Sequence, residues 1–227
     1  MGNHNAVENS SSVFIHIGYP KSASTTLQKH LFNKHPQIHN LGIYPTGNIG
    51  RDSQEINHEC VFLKDHRLKD FYQQITTLDP IDYAKHEASD AYKRMFDEHI
   101  EPNKTTLLSS ERFTDVLFSY DNIEDKANRV KRVFPEARIL IVLRNQLNII
   151  ASQYRDHPFN PRCVRIGRPV TIDRWIKIVL QDPLVKYANS LNYYETIKCY
   201  ANLFGRERIG IFLFEELVSD FEVYAQK

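Results

Sequence analysis

At 227 residues the chain can bury one full core, and its 41% hydrophobic and 25% charged content is that of an ordinary globular domain. Lys and Arg total 29 against 28 Asp and Glu, a net charge of +1. That balance excludes a general drive toward nucleic acid or membrane surfaces, so any anion site must be local.

Residues 1–12 are polar and lack both a basic n-region and an apolar h-region, so a flexible tail is expected there rather than a signal peptide. No apolar run approaches the length of a bilayer span. Cys60, Cys163 and Cys199 are too far apart for a zinc knuckle or a redox pair, and such spacing suits a reducing compartment. The expectation is a cytoplasmic protein with one domain over 13–227.

Four short, β-branched apolar runs read as buried strands: Val13–Ile17, Thr105–Ser109, Arg138–Leu143 and Ile209–Phe214. Helical stretches fall between them at Thr25–Phe32, Asp90–Ile100, Asp125–Phe134, Leu147–Tyr154 and Tyr193–Phe204. This alternation predicts an α/β fold, three layers with a central parallel sheet and helices on both faces. Two polar, irregular stretches, about 36–103 and 155–192, read as excursions from the sheet. In such folds ligands sit at the carboxyl ends of the strands. That rule singles out Gly18–Thr26, Ser110–Thr114 and Arg144–Ser152.

After the first strand the chain runs Gly18-Tyr19-Pro20-Lys21-Ser22-Ala23-Ser24-Thr25-Thr26-Leu27-Gln28. A strand that reopens as a helix near Ser24 gathers free backbone N–H groups at one point, and Lys21 adds a full positive charge. Ser22, Ala23 and Ser24 are small enough for close approach of a phosphate, while Ser24, Thr25 and Thr26 offer hydroxyl donors. A plain capped strand–turn–helix with a solvated lysine has the same outline. A nucleotide triphosphatase or kinase loop requires Gly-Lys before Ser/Thr, and no such pair is present.

Arg144 stands at the end of the run Arg138–Leu143, with Ser152 eight residues on and Tyr154 after it. Guanidinium and hydroxyl suit a second phosphate, although a strand-end salt bridge and a helical serine bonded to its own backbone remain open alternatives. There is no Cys-x-x-Cys or aspartate cluster, so no metal is expected. His16, alternating with Phe14, reads as a core histidine.

The segment from Pro20 to Gln28 resembles the 5′-phosphosulfate loop of sulfotransferases that use 3′-phosphoadenosine 5′-phosphosulfate (PAPS), usually Pro-Lys-x-Gly-[Ser/Thr]-[Ser/Thr]-x-Leu. Ala23 replaces the usual glycine, a change that fits if the backbone there keeps φ negative. Arg144 to Tyr154 resembles the family's 3′-phosphate motif, Arg-x-Pro-x-x-x-x-x-Ser-x-Tyr, with Gln146 in place of proline and Ile149 where arginine is frequent. Ser109-Ser110-Glu111 is similar to the strand end that carries a catalytic base in bacterial-type members.

The resemblance implies a P-loop-like sulfotransferase fold with PAPS as co-substrate and a small-molecule or glycan hydroxyl acceptor. It casts Lys21 and Glu111 as catalytic residues, and Lys21, Ser22, Ala23, Ser24, Thr25, Thr26, Arg144 and Ser152 as nucleotide ligands. Tyr44, His58, Tyr72, Tyr83, Arg155 and Arg162, in the two polar excursions, could line a sugar or polar lipid acceptor site or be ordinary surface. The tryptophan that stacks adenine in some members is replaced by Thr26, and Trp175 lies far along the chain. The family's late glycine-containing basic loop is missing, so the chain reads as truncated, lidless or completed by another chain. The competing expectations are a sulfotransferase fold that binds nucleotide or a partner without turnover and, less favoured, a nucleotide-dependent kinase.

Overall fold

The computed structural model describes residues 13–41, 65–77, 89–114, 122–156, 170–181 and 191–226. The N-terminal tail, Tyr44, His58, Cys60, Tyr83, His157, Arg162 and Cys163 lie outside the described residues.

Five strands form one sheet: β1 (Val13–His16), β2 (Ile38–Asn40), β3 (Thr105–Ser109), β4 (Arg138–Leu143) and β5 (Ile209–Leu213). Their order is β2-β3-β1-β4-β5 and every pairing is parallel, with Ile15 in register with both Leu108 and Ile139. The four strands expected from the apolar runs are present. The edge strand β2 is additional, and its three residues are too few to make a pattern.

Both faces are buried over the central strands β1, β3 and β4, which is why those strands read as apolar runs rather than alternating ones, while the edge strand β5 leaves Ile211 and Leu213 exposed. Ile15, Leu108, Ile139 and Ile141 face one layer, built from α2 (His66–Thr77), α3 (Ser89–Asp97), α4 (Ile123–Val133) and α7 (Tyr193–Phe204). Phe14, Leu107, Leu140 and Val142 face the other, covered by Leu27 of α1 (Ser24–Leu27), by Phe32 of the turn that continues it, and by α8 (Phe214–Ser219) and α9 (Phe221–Ala225). The remaining helices are α5 (Gln146–Asp156) and α6 (Ile172–Gln181). The architecture is the expected three-layer α/β/α.

Helix α1 runs from Ser24 to Leu27 and continues as a π-helical turn over Gln28–Phe32. The turn has a packing reason. Residues five apart on an α-helix point about 140° away from each other. The wider turn, closed by the Asn33 N–H on the Gln28 carbonyl at 3.1 Å, lets Leu27 and Phe32 enter the same core cluster. Gln28 becomes buried in the same movement.

Within 36–103 the described residues supply β2, α2 and α3. Leu68, Phe71, Tyr72 and Ile75 of α2 and Met95 and Phe96 of α3 are buried in the main core. Helix α4 begins on Asn122, whose side-chain oxygen accepts from the Asp125 N–H at 2.7 Å, and it carries acids in its first turn and bases in its last. Its buried Arg129 donates to the Gln74 and Ile75 carbonyls near the end of α2, at 3.3 and 3.2 Å. One guanidinium thus satisfies carbonyls that the helix itself leaves open. Replacing Arg129 with Met should lower folding stability by about 2 kcal/mol, read as a lower urea midpoint with an unchanged slope.

Candidate functional site

Strands β1 and β4 are neighbours, yet the chain leaving β1 goes toward β2 and the chain leaving β4 goes toward β5. Such a reversal opens a crevice at the carboxyl ends of the two strands. Residues 18–24 and Arg144 stand at its sides.

The 18–24 loop is tightly folded. The Ser22 N–H donates to the Tyr19 carbonyl at 3.1 Å across Pro20 and Lys21, and Lys21 has φ 67°. Proline followed by a positive φ is the pattern of a type II turn, in which glycine usually takes the position held here by Lys21. Ala23 follows at φ 63°, ψ 23°, and Ser24 opens the helix. A left-handed residue next to a helical one turns successive N–H groups toward a common point, a concavity suited to anions. The expectation of a negative φ at Ala23 therefore does not hold. Its methyl sits in the left-handed region, which costs an L-residue about 1–2 kcal/mol, and glycine would sit there without strain.

Two side chains from the flanking strand ends hold this conformation. Thr114 Oγ1, beyond β3, donates to the Gly18 carbonyl at 2.8 Å. Arg144, beyond β4, donates from Nη1 to the Lys21 carbonyl. Arg144 also lays its guanidinium over the Phe214 ring, 4.3 Å from the centroid, and its own carbonyl accepts from Tyr193 Oη at 2.5 Å. Burial pushes the Tyr193 phenol up to about 12, so it remains a donor.

Ser22 and Ser24 are buried, and their hydroxyl oxygens have no hydrogen-bond partner; the same is true of Arg144 Nε. Three orphaned polar atoms around one loop are costly unless a ligand completes them. Thr25 and Thr26 are exposed on the first helical turn. Ser152 is half-buried on α5, one turn from buried Ile149, and the structure does not bond it to Arg144. Tyr154 packs edge-on against Trp175 and donates to the Val170 carbonyl at 2.7 Å, a structural role.

Glu111 is half-buried in the short 3-10 turn Glu111–Phe113 that follows β3. That turn is fastened on several sides. The Ser110 N–H donates to the His16 carbonyl at 3.0 Å, and the Ser110 hydroxyl bonds with Tyr72 Oη. Buried Lys126 donates to the Arg112 carbonyl at 2.8 Å, and Thr114 bridges the Glu111 and Gly18 carbonyls. The backbone that carries Glu111 and the loop bearing Lys21 thus belong to one connected frame.

Beneath the loop lies a polar cluster that sequence reasoning passed over. His16 Nδ1 and Ser109 Oγ are 2.7 Å apart, and Gln28 Nε2 donates to Ser109 Oγ at 2.8 Å. All three side chains are buried, and burial lowers the His16 imidazole to about 3. Thr114 and Tyr193 were also missed, because tethers to main-chain oxygen leave no signature in a sequence. Among the described residues no group of three His, Cys, Asp or Glu could hold a metal ion. Among them, too, no helix is long and apolar enough to cross a membrane.

No protein-family model and no curated protein matches the sequence. The structure is similar to the crystal structure of a sulfotransferase from Alicyclobacillus acidocaldarius, with a TM-score of 0.56 and 21% identity over 94% of this chain and 77% of that one. Mouse sulfotransferase SULT7A1 complexed with PAP gives a TM-score of 0.49 and 13% identity, over 95% of this chain and 56% of that one. The chain has a sulfotransferase-type fold.

Replacing Ala23 with Gly should relieve the left-handed strain and raise folding stability by about 1 kcal/mol, read as a higher urea midpoint. A lower midpoint would mean that the packing of the Ala23 methyl outweighs its backbone strain.

Proposed function

We propose that this protein is a sulfotransferase that moves the sulfuryl group of PAPS to a hydroxyl acceptor, a carbohydrate or another small polar molecule. The observation that carries this reading is the set of buried, unpartnered polar atoms at the strained loop: Ser22 Oγ, Ser24 Oγ and Arg144 Nε. The serine hydroxyls and main-chain N–H groups suit one tetrahedral anion, and the guanidinium suits a second phosphate.

Bound there, PAPS would supply an activated sulfuryl group whose bond to the phosphate oxygen breaks as the acceptor oxygen bonds to sulfur. Lys21 offsets negative charge growing at the bridging oxygen, assisted by the loop N–H groups and the Ser24 hydroxyl. Glu111 accepts the proton of the acceptor hydroxyl. Ser22, Ala23, Thr25 and Thr26 complete the wall around the 5′ end. Arg144 and Ser152 are assigned to the 3′-phosphate by motif. The bond from Arg144 to the Lys21 carbonyl favours a second duty for Arg144, holding the phosphosulfate loop itself. The kinase reading loses further ground, because Lys21 is part of the turn that precedes the helix rather than its first residue.

3′,5′-Adenosine bisphosphate should raise the melting temperature by several degrees, and ATP with magnesium should not. The reverse pattern would replace the sulfotransferase reading with the kinase one. In a transfer assay with labelled PAPS and a panel of sugar and small alcohol acceptors, Lys21→Ala should lower turnover at least about 100-fold. Glu111→Gln should slow turnover by about 100-fold or more while leaving nucleotide affinity within about twofold. Nucleotide binding without transfer to any acceptor would favour a non-catalytic sulfotransferase fold.

A further inference from the structure

The buried cluster under the loop specifies where its protons lie. Gln28 Nε2 is 2.8 Å from Ser109 Oγ and 3.3 Å from the Ser109 carbonyl oxygen. A carbonyl oxygen can only accept, so the amide must present nitrogen to Ser109, and that orientation follows from the network. Ser109 Oγ then receives a hydrogen bond from Gln28. Its own proton is left for the nearest acceptor, His16 Nδ1 at 2.7 Å. A neutral imidazole whose Nδ1 accepts carries its proton on Nε2. Burial keeps the ring neutral at physiological pH.

The Nε2–H so defined has no partner. It lies beside the notch left by Gly18. A Cβ on residue 18 would lie 3.1 Å from His16 Nε2 and 2.4 Å from Ser24 Oγ, so both groups border a space that a side chain there would fill. Ser24 Oγ is also buried and unpartnered. A hydroxyl that accepts from an N–H behind it directs its own proton forward, which here is toward the concavity of the loop.

We propose that His16 is a positioning residue of the phosphate loop: its Nε2–H engages Ser24 Oγ as an acceptor and so aims the Ser24 hydroxyl proton at an oxygen of the bound phosphosulfate. The proposal rests on the sulfotransferase reading, because it concerns how that loop holds its anion. Gln28, Ser109, His16 and Ser24 then form one chain of donors running from the π-helical turn to the ligand. Such a chain strengthens its terminal bond by mutual polarisation. It also explains why β1 ends in a histidine, why β3 ends in a serine and why residue 18 has no side chain.

The test uses 3′,5′-adenosine bisphosphate, whose 5′-phosphate occupies the loop under this reading. In the wild-type protein, nitrogen NMR of labelled histidine should find His16 neutral with its proton on Nε2; a proton on Nδ1 overturns the proposal. By calorimetry His16→Asn, which keeps a polar atom near the Nδ1 position but lacks the Nε2 donor, should bind the bisphosphate about tenfold more weakly. Ser24→Ala should lose at least as much, and the double variant should bind no more weakly than Ser24→Ala alone. His16→Gln, whose longer amide returns an N–H near the Nε2 position, should recover most of the affinity.

Wild-type affinity in His16→Asn, or additive losses in the double variant, would show that His16 merely packs, whatever happens to its melting temperature. Ser109→Ala is the second variant should His16→Asn fail to fold. It removes the donor that holds Nδ1, and unchanged affinity there also overturns the proposal. Wild-type protein that ignores the bisphosphate altogether is a separate outcome: it removes the sulfotransferase reading, and this proposal with it.

Discussion

The site depends on two main-chain oxygens being held from opposite sides. The Gly18 carbonyl is taken by Thr114 from the β3 side, and the Lys21 carbonyl by Arg144 from the β4 side. Between them the backbone passes through left-handed conformations at Lys21 and Ala23 that no side chain of this type prefers. Strain of this kind persists only where surrounding bonds over-determine it. The parallel sheet supplies that determination, because β3 and β4 are the strands paired to β1 and their ends stand on either side of the loop.

Under the proposed function, the same frame is how a chain with almost no net charge would hold a highly charged ligand. The attraction is built from directed donors rather than from a field. Ser22 Oγ, Ser24 Oγ and Arg144 Nε are kept out of water and without internal partners, so under that proposal they would stand ready for an anion. Among these groups, only the guanidinium carries a formal charge, and its contact with the Phe214 face and its bond to the loop restrict its freedom. Glu111, the proposed base, is set on the neighbouring strand end, its carbonyl joined to the loop through Thr114.

The sheet was largely legible in the sequence, because the central strands, buried on both faces, must be continuous apolar runs, and the edge strand β5 is one too. Helix α2 was not recognised, although its buried Leu68, Phe71, Tyr72 and Ile75 follow helical spacing. They are embedded in Lys, Asp and Gln, and the surrounding polar stretch hid them. In the site, Lys21, Ser22, Ser24 and Arg144 could be picked out because charge and hydroxyl at a strand end carry chemical meaning. The backbone at Ala23 could not, since glycine advertises a positive φ and alanine conceals it. Nor could the cluster of His16, Ser109 and Gln28, since partners separated by 81 and 93 positions are brought together only by sheet register and the π-helical turn.

That turn hides one residue of length from the packing on either side of it. A π-helical turn amounts to one residue more than the α-helix needs, inserted between Gln28 and Phe32. Loss of one residue from Lys29–Leu31 would restore an ordinary helix in which Leu27 and Phe32 stand four positions apart, still on one face and against the same side of the sheet. The apolar pair is thus indifferent to the extra residue, and its effect falls on the positions between them, where buried Gln28 reaches Ser109.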